Sequence, residues 1–222
     1  MPSPTKPLYL QRKSPKQVRS RETVGAILEA AARILVRHGY TGANTNRIAE
    51  DAGISVGSLY QYFPSKDAIV VELFRRYRAR VVETVARHMD GVDRANIETR
   101  IHDLLRSLIE AQGLYPGLHA ILIEQVLRTS ARAEMMGFEE RVEAILVEAL
   151  GTLFNGVSPS DHEIVAFLLL RTVMAITHAA VVDRPALTRD PRLVREATRM
   201  IVRYLVVTTP EASGQEVGQR LR

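Results

Sequence analysis

Hydrogen-bonding side chains and small residues share one face of a short helix predicted over residues 56–62. The outward positions of this helix are Val56, Gly57, Ser58, Gln61 and Tyr62. Amide and hydroxyl groups donate and accept hydrogen bonds without carrying charge, which suits phosphate oxygens and the polar edges of bases. Because a single helix is narrow enough to enter the major groove of DNA, this face is a candidate nucleic-acid reader.

Two short helices and a tight turn must position this face. Asn44 is predicted to cap a helix from about Thr45 to Ala52, and Ser55 is predicted to cap the helix that follows. Gly53, between them, supplies the positive φ that the turn requires. Apolar residues face inward from both helices and from the turn, at Ile48, Ala49, Ile54 and Leu59. This spacing is the pattern of a helix-turn-helix.

The remainder of the 222-residue chain also has the apolar period of helices. A first helix begins at about Val18 and ends at Gly39, and later helices are predicted over 66–89, 97–112, 116–129, 132–154, 160–182 and 191–207. We find no alternating strand pattern, so the predicted class is all-α with about nine helices.

Charge is distributed unevenly along the chain, whose formal net charge is +5. Residues 1–80 carry 14 Lys or Arg against 6 Asp or Glu, a net charge of +8, and the rest carries −3. A basic segment of this kind favours a polyanionic partner. Cysteine is absent, which excludes disulfides, thiol catalysis and cysteine zinc sites. Without an apolar leader or an apolar run of about 18 residues, we expect a cytoplasmic protein with no membrane partner.

From Arg21 to about Leu73 the chain resembles the DNA-binding domain of the TetR/AcrR (tetracycline-repressor) family of bacterial transcription regulators. The matching residues are 27–31 (ILEAA), 39–40 (GY), 48–55 (IAEDAGIS), 57–60 (GSLY) and 62–66 (YFPSK). Thr45 and Asn46 depart from the family pattern of an apolar residue followed by a charged one. Residues 1–16, which are rich in proline and in positive charge, are predicted to form a basic arm that is a flexible tail or an additional DNA contact. The resemblance implies a helix-turn-helix domain over 17–66, a helical ligand-binding and dimerisation domain over 67–209, and a flexible tail over 210–222.

The resemblance and the side-chain chemistry together predict the residues that contact double-stranded DNA. Gln61 is the predicted base reader, because its amide can bond adenine N6 and N7 together. Lys66 is predicted to clamp a phosphate at the start of the fourth helix, and Tyr60 either contacts phosphate or packs in the core. The full predicted set is Asn44, Thr45, Arg47, Ser55, Val56, Gly57, Ser58, Tyr60, Gln61, Tyr62 and Lys66.

The C-terminal helices are predicted to hold a ligand pocket and a homodimer interface, or else to pack only as intrachain core. The predicted pocket residues are His102, Leu105, Tyr115, His119, Leu122, Met135, Phe138 and His178. The resemblance implies a four-helix interface, with candidate residues Phe167, Leu170, Val173, Met174, Thr177, Ala180, Val194, Ala197, Ile201 and Leu205.

We therefore expect a homodimeric repressor that a small apolar or amphipathic effector releases from a palindromic operator. A ligand-independent or structural DNA-binding protein is the alternative. A small helical enzyme is a weaker one, because we find no HExxH motif, no phosphate-binding glycine loop and no metal-spaced cluster. We expect no catalytic residue, no cofactor and no metal.

Overall fold

The computed structural model describes residues 18–113, 117–127, 132–154 and 158–208. No strand occurs among these residues, which confirms the all-α class. The helices are α1 (Val18–Gly42), α2 (Thr45–Asp51), α3 (Val56–Tyr62), α4 (Lys66–Met89), α5 (Ile97–Gly113), α6 (Leu118–Leu127), α7 (Arg132–Leu153), α8 (Pro159–Val182), a 3-10 helix (Pro185–Arg189) and α9 (Pro191–Thr208). The predicted arm over 1–16 and tail over 210–222 lie outside the described residues.

Helices α1–α3 and the first turns of α4 enclose one apolar cluster, which we call the head core. Its fully buried side chains come from all four helices: Val24, Ile27, Leu35, Ile48, Leu59, Phe63, Ile69 and Val70. At Gly39 the backbone leaves the helical region with φ 65°, a conformation that favours glycine, so α1 kinks where the sequence predicted its end. The kink turns the chain towards α2.

The body of the molecule consists of the distal half of α4 together with α5–α9. Helix α4 has 24 residues and is therefore about 36 Å long. Its first half, including Phe74, packs in the head core, and its second half, including Val85, packs between α5, α7 and α8. Leu122 of α6 is also buried in the head core. Head and body are thus joined by one continuous helix and by packing against α6.

Within the described part of the chain, the segment Ser160–Val182 is long and apolar enough to cross a membrane, with a mean hydropathy of 2.0. The sequence analysis expected no such segment. One stripe of this helix packs inside the body, where Ala166, Leu170 and Thr177 are buried. Arg171, in the middle of the helix, forms an ion pair of 2.6 Å with Glu139 of α7. Core helices of soluble proteins have the same length and composition, so α8 is described below as a helix of the body.

Candidate nucleic-acid interface and ligand cavity

The outer face of α3 is defined by a capped N-terminus and one buried anchor. Ser55 Oγ accepts a hydrogen bond of 3.1 Å from the backbone N–H of Ser58, as the sequence predicts for a cap. Leu59 is completely buried in the head core, which directs the opposite face outward. Gly57 and Gln61 are exposed on that face, with Val56, Ser58 and Tyr62 half-buried beside them.

Helix α2 adds hydroxyl and guanidinium groups next to α3. The Thr45 and Tyr60 hydroxyl oxygens lie 3.0 Å apart, and Tyr60 is 41% exposed, outside the head core. Asn44 Oδ1 accepts a hydrogen bond of 2.9 Å from the backbone N–H of Arg47, which confirms the predicted cap of α2. The Arg47 guanidinium is exposed and donates to the Gly42 carbonyl at 3.0 Å. The structure therefore brings the α2 and α3 candidates onto one surface.

The ammonium of Lys66 is bonded to other groups of the protein, whereas a phosphate clamp needs an ammonium that is free to contact DNA. Its ammonium donates to the carbonyls of Tyr40 at 2.6 Å and Ala43 at 3.0 Å, and it lies 3.8 Å from the centre of the Tyr40 ring. Burial lowers the pKa of Lys66, and the nearby charge of Asp67 partly opposes this shift. Two of its three N–H donors thus fasten α4 to the segment between α1 and α2, a function that the sequence analysis did not predict.

Two further contacts orient the helix-turn-helix and were missed from the sequence. Arg33 of α1 donates to Asp51 of α2 through Nε at 3.0 Å and through Nη2 at 2.6 Å. Ser20 Oγ donates to the Tyr62 hydroxyl at 3.2 Å. Both pairs join residues far apart in sequence, so no local spacing could have indicated them.

A cavity of about 100 Å³ lies inside the body between α4, α5, α6, α7, α8 and α9; we call it the central cavity. Its walls are mainly aliphatic, with Val85, Leu104, Val142, Leu170 and Ile201 among the lining residues. Its polar lining groups are Tyr77, Arg78, His119 and Thr177, all towards the head. The cavity is therefore suited to an apolar molecule with few polar groups.

Burial determines the protonation of the polar groups in the cavity. It raises the pKa of Tyr77 to about 12 and lowers that of His119 to about 4, with smaller contributions to His119 from His178 and Arg78. Tyr77 and His119 are therefore neutral near pH 7. The Arg78 guanidinium lies between the rings of Phe74, at 4.4 Å, and Phe138, at 4.2 Å. Burial also lowers the pKa of Arg78.

The predicted pocket residues lie in several different places. Leu105, His119 and Phe138 line the central cavity, and the ring of His178 is 5.4 Å from that of His119. His102 instead lies 3.4 Å from Asp103 on the outer side of α5, because it projects away from the leucine stripe. Leu122 belongs to the head core. Tyr115 and the side chain of Met135 lie outside the described residues.

The sequence and the fold agree with a known protein family. The family described as bacterial regulatory proteins, tetR family, matches residues 27–73. The tetracyclin repressor-like C-terminal domain matches residues 96–205. The chain belongs to the TetR family. Its head matches the DNA-binding part of that family, and it is a DNA-binding transcriptional regulator.

Individual TetR relatives show how far the likeness extends. The HTH-type transcriptional repressor AcnR of Corynebacterium efficiens is 32% identical over 164 residues, covering 72% of this chain and 80% of that protein. The nucleoid occlusion factor SlmA of Haemophilus influenzae is 28% identical over 112 residues, covering 48% of this chain and 49% of that protein. A transcriptional regulator from Pseudomonas aeruginosa has the same fold, with a TM-score of 0.68, 24% identity and coverage of 86% and 93%. Their names are those of DNA-associated regulators, and none is that of an enzyme.

The residues predicted for a TetR dimer interface lie mostly inside the chain. Six of them are buried, namely Leu170, Thr177, Ala180, Ala197, Ile201 and Leu205. Three more are partly buried against the body core, namely Val173, Met174 and Val194. Phe167 is exposed. The interface was predicted on the more apolar stripe of each helix, and in the structure this stripe faces the inside of the body. The large apolar residues of α8 and α9 that are exposed are Ile164, Phe167, Leu168, Val182, Met200 and Val206, and we call the surface that they form the outer face.

Proposed function

We propose that this TetR-family protein is a homodimeric repressor that a small apolar or amphipathic ligand releases from a palindromic operator. The observation that carries this proposal is the outer surface of α3, with a capped N-terminus and the exposed amide of Gln61. This surface belongs to the same rigid unit as α4, whose other end lines the central cavity. We further propose that the protein acts in the cytoplasm, on the nucleoid.

DNA recognition begins at the N-terminus of α3. Ser55 Oγ accepts a hydrogen bond from the backbone N–H of Ser58. The N–H groups of Val56 and Gly57, at the positive end of the helix, are then available to bind a phosphate. Gly57 has no side chain, so the duplex backbone can approach α3 closely. With this anchor in place, Gln61 lies one turn further along and reaches the base edges. The hydroxyls of Thr45 and Tyr60 contact the phosphates beside it.

Dimerisation is proposed through the outer face. On α8 the exposed positions 164, 168, 171, 175, 179 and 182 recur at intervals of three and four, and most of them are apolar. Exposed apolar stripes of this length in soluble proteins mark interfaces. A two-fold axis through the outer face would give two recognition helices, as operator half-sites separated by about 34–36 Å require.

The effector is proposed to act by enlarging the central cavity. A volume of about 100 Å³ is smaller than the roughly 300–1,000 Å³ of typical small-molecule sites, so a ligand must push the walls apart. Tyr77 and Val85 of α4 are part of those walls, and Ala68 and Phe74 of the same helix are fixed in the head core. Displacing α4 therefore moves the head and changes the distance between the two α3 helices.

The proposal is tested by fluorescence anisotropy with a labelled duplex taken from the DNA upstream of the protein's own coding sequence. We expect dimeric binding with discrimination of about 4–10 kcal/mol against random DNA at the same salt concentration. If the protein binds random DNA as tightly as the upstream duplex, the result would contradict specific recognition.

The name of SlmA, a nucleoid occlusion factor and not a repressor, favours one alternative, a DNA-binding protein that needs no ligand. Such a protein would keep its affinity for DNA when compounds occupy the central cavity. Screening compounds against the protein–DNA complex separates the two functions, because only the repressor releases DNA when the cavity fills.

A further inference from the structure

A second and larger recess lies where the head meets the body. Its volume is about 380 Å³, and it is formed by α1, α4, the end of α5 and α6; we call it the junction groove. This volume lies within the range of about 300–1,000 Å³ that is typical of small-molecule sites, whereas the central cavity is smaller. The junction groove can therefore admit a ligand without the rearrangement that the central cavity requires.

We propose that the junction groove is a binding site for a small organic anion with an apolar body. Its inner surface is apolar, with Leu28 from the head, Leu73 from α4, and Leu118 and Leu122 from α6. These four side chains provide the surface that an aromatic or aliphatic group would cover. The charged groups of the groove lie on α1 and α4, and they decide which charge a ligand should carry.

The charges around the junction groove favour an anion. Arg80 lines the groove, is exposed, and forms no ion pair with any residue in the described ranges. Arg76 also lines it and shares the buried carboxylate of Glu72 with Arg75, at 2.9 and 2.7 Å, so this trio keeps a net charge of +1. The one acidic residue among the described lining groups is Glu29, which leaves the groove positive. Guanidinium groups bind carboxylates and sulfonates through paired N–H donors.

His119 supplies a polar group at the inner end of the junction groove. The side chain is 9% exposed, and its Nδ1 has no hydrogen-bond partner. Buried ring nitrogens are normally paired, so this atom is available to a ligand. Both His119 and Tyr77, whose ring centres are 5.0 Å apart, also line the central cavity. These two rings form a wall that the two sites share.

This second site does not depend on the proposed repressor function, because its ligand contacts can be measured without DNA. It does have a consequence for that function. A molecule in the junction groove touches α1 of the head and α6 of the body together, and therefore favours one relative position of the two.

The test uses 8-anilino-1-naphthalenesulfonate, a fluorescent aromatic monoanion, with the full-length protein. Gly25 lines the groove on α1, and a Cβ built at this glycine meets no atom within 4 Å. Gly25→Leu therefore adds a side chain to the groove with no clash at its Cβ, and Gly25→Ala is its matched control. We expect one dye per chain, at least ten-fold weaker binding to Gly25→Leu, and less than a two-fold change for Gly25→Ala.

Two further variants separate the groove from other dye sites. Arg80→Gln should weaken dye binding about five-fold and reduce its dependence on salt, and Arg80→Lys should retain most of the affinity. Ala149→Leu fills the central cavity from α7 and should leave dye binding unchanged. Each variant is checked for an unchanged circular dichroism melt, because partly unfolded protein also binds the dye. If Ala149→Leu abolishes binding and Gly25→Leu does not, the dye occupies the central cavity and the proposal is overturned.

Discussion

Gln61 combines exposure with an amide that both donates and accepts, on a helix face whose other members are hydroxyl, glycine or aliphatic residues. A bidentate amide contact to adenine contributes about 1–3 kcal/mol of discrimination. We therefore expect Gln61→Ala to weaken operator binding by this amount and to relax preference at one base pair. Anisotropy titrations with operators substituted at each position measure the effect. Tyr60→Phe is the control, since losing a phosphate contact weakens all sequences alike. An equal loss on every sequence for Gln61→Ala would contradict base reading.

Lys66 gives a different expectation, because its ammonium is held by the carbonyls of Tyr40 and Ala43. Hydrogen bonds from a charged donor contribute about 1.5–3 kcal/mol. Lys66→Ala should lower the free energy of unfolding by roughly 1–3 kcal/mol, measured by urea denaturation, as well as weakening DNA binding. Arg47→Ala is the comparison, since Arg47 is exposed and its loss should affect binding more than stability. If Lys66→Ala leaves the free energy of unfolding unchanged, the two hydrogen bonds do not stabilise the fold, and Lys66 acts only as a phosphate clamp.

His119 makes the stability of the protein depend on pH. Burial lowers its pKa to about 4 from the usual 6.5, with His178 and Arg78 adding positive potential and Tyr77 neutral beside it. Between about pH 6.5 and 4 the unfolded chain therefore binds a proton that the folded state does not. The free energy of unfolding consequently falls as the pH decreases through this window.

From pH 7 to pH 5 the His119 contribution amounts to about 2 kcal/mol. We expect His119→Gln to remove this part of the pH dependence when urea unfolding is compared at the two pH values. His38→Gln replaces an exposed histidine of α1 and serves as the control. Equal pH dependence in His119→Gln and the wild type would show that His119 is not kept neutral by burial.

At the scale of elements, the head could be predicted closely because its boundaries depend on local chemistry. Asn44, Ser55 and Ser65 each accept a hydrogen bond from a backbone N–H three residues later, and α3 and α4 have their predicted bounds. A helix cap depends on side chains within one turn of the helix end, so the position of that end can be predicted from the local sequence. The side-chain partner of Asp51 could not be predicted, because Arg33 reaches it from another helix.

The body was harder to predict because several of its helices have apolar residues on more than one face. On α8, Leu170 faces the core and Leu168 faces outward, and helical spacing gives no reason to prefer either as an interface residue. The cavity is equally non-local, since residues such as Tyr77 and Met174 come to line it only through the packing of six helices. The predicted pocket residue Leu122 therefore lies in the head core and at the junction groove, outside the central cavity, and His102 lies on the outer side of α5.

The outer face of α8 leads to a prediction about assembly. Leu168 is 42% exposed and Ile164, one turn earlier, is 60% exposed. A carboxylate at position 168 would be buried against its own copy across a two-fold axis, which is costly without a partner. Leu168→Glu should convert the dimer to a monomer of 24.8 kDa in light scattering and weaken operator binding. Glu163→Gln, exposed on the same helix, should remain dimeric. A dimeric Leu168→Glu would place the interface elsewhere.

At the scale of the whole molecule, the part that attracts DNA and the part that contains the central cavity differ in net charge and are joined by one helix. The first 80 residues carry the net positive charge that attracts DNA, and the rest is mildly acidic and does not add to that attraction. Helix α4 joins the two parts, because Phe74 is fixed in the head core and Val85 lines the central cavity. We therefore expect a change in the cavity to reach α3 through this continuous helix.

This connection requires reciprocal coupling between cavity ligands and DNA. A compound that stabilises the free protein by binding the central cavity should lower operator affinity by about 1–3 kcal/mol, and saturating operator should lower the affinity of that compound by the same factor. Compounds chosen by thermal shift, then titrated by calorimetry with and without operator, measure both sides of the cycle. Ala149→Leu, whose added carbons occupy the existing cavity without pushing its walls apart, should abolish compound binding and both effects while operator binding persists. A compound that binds the cavity with equal affinity in the presence and absence of operator would show that the cavity and the recognition helices are not coupled.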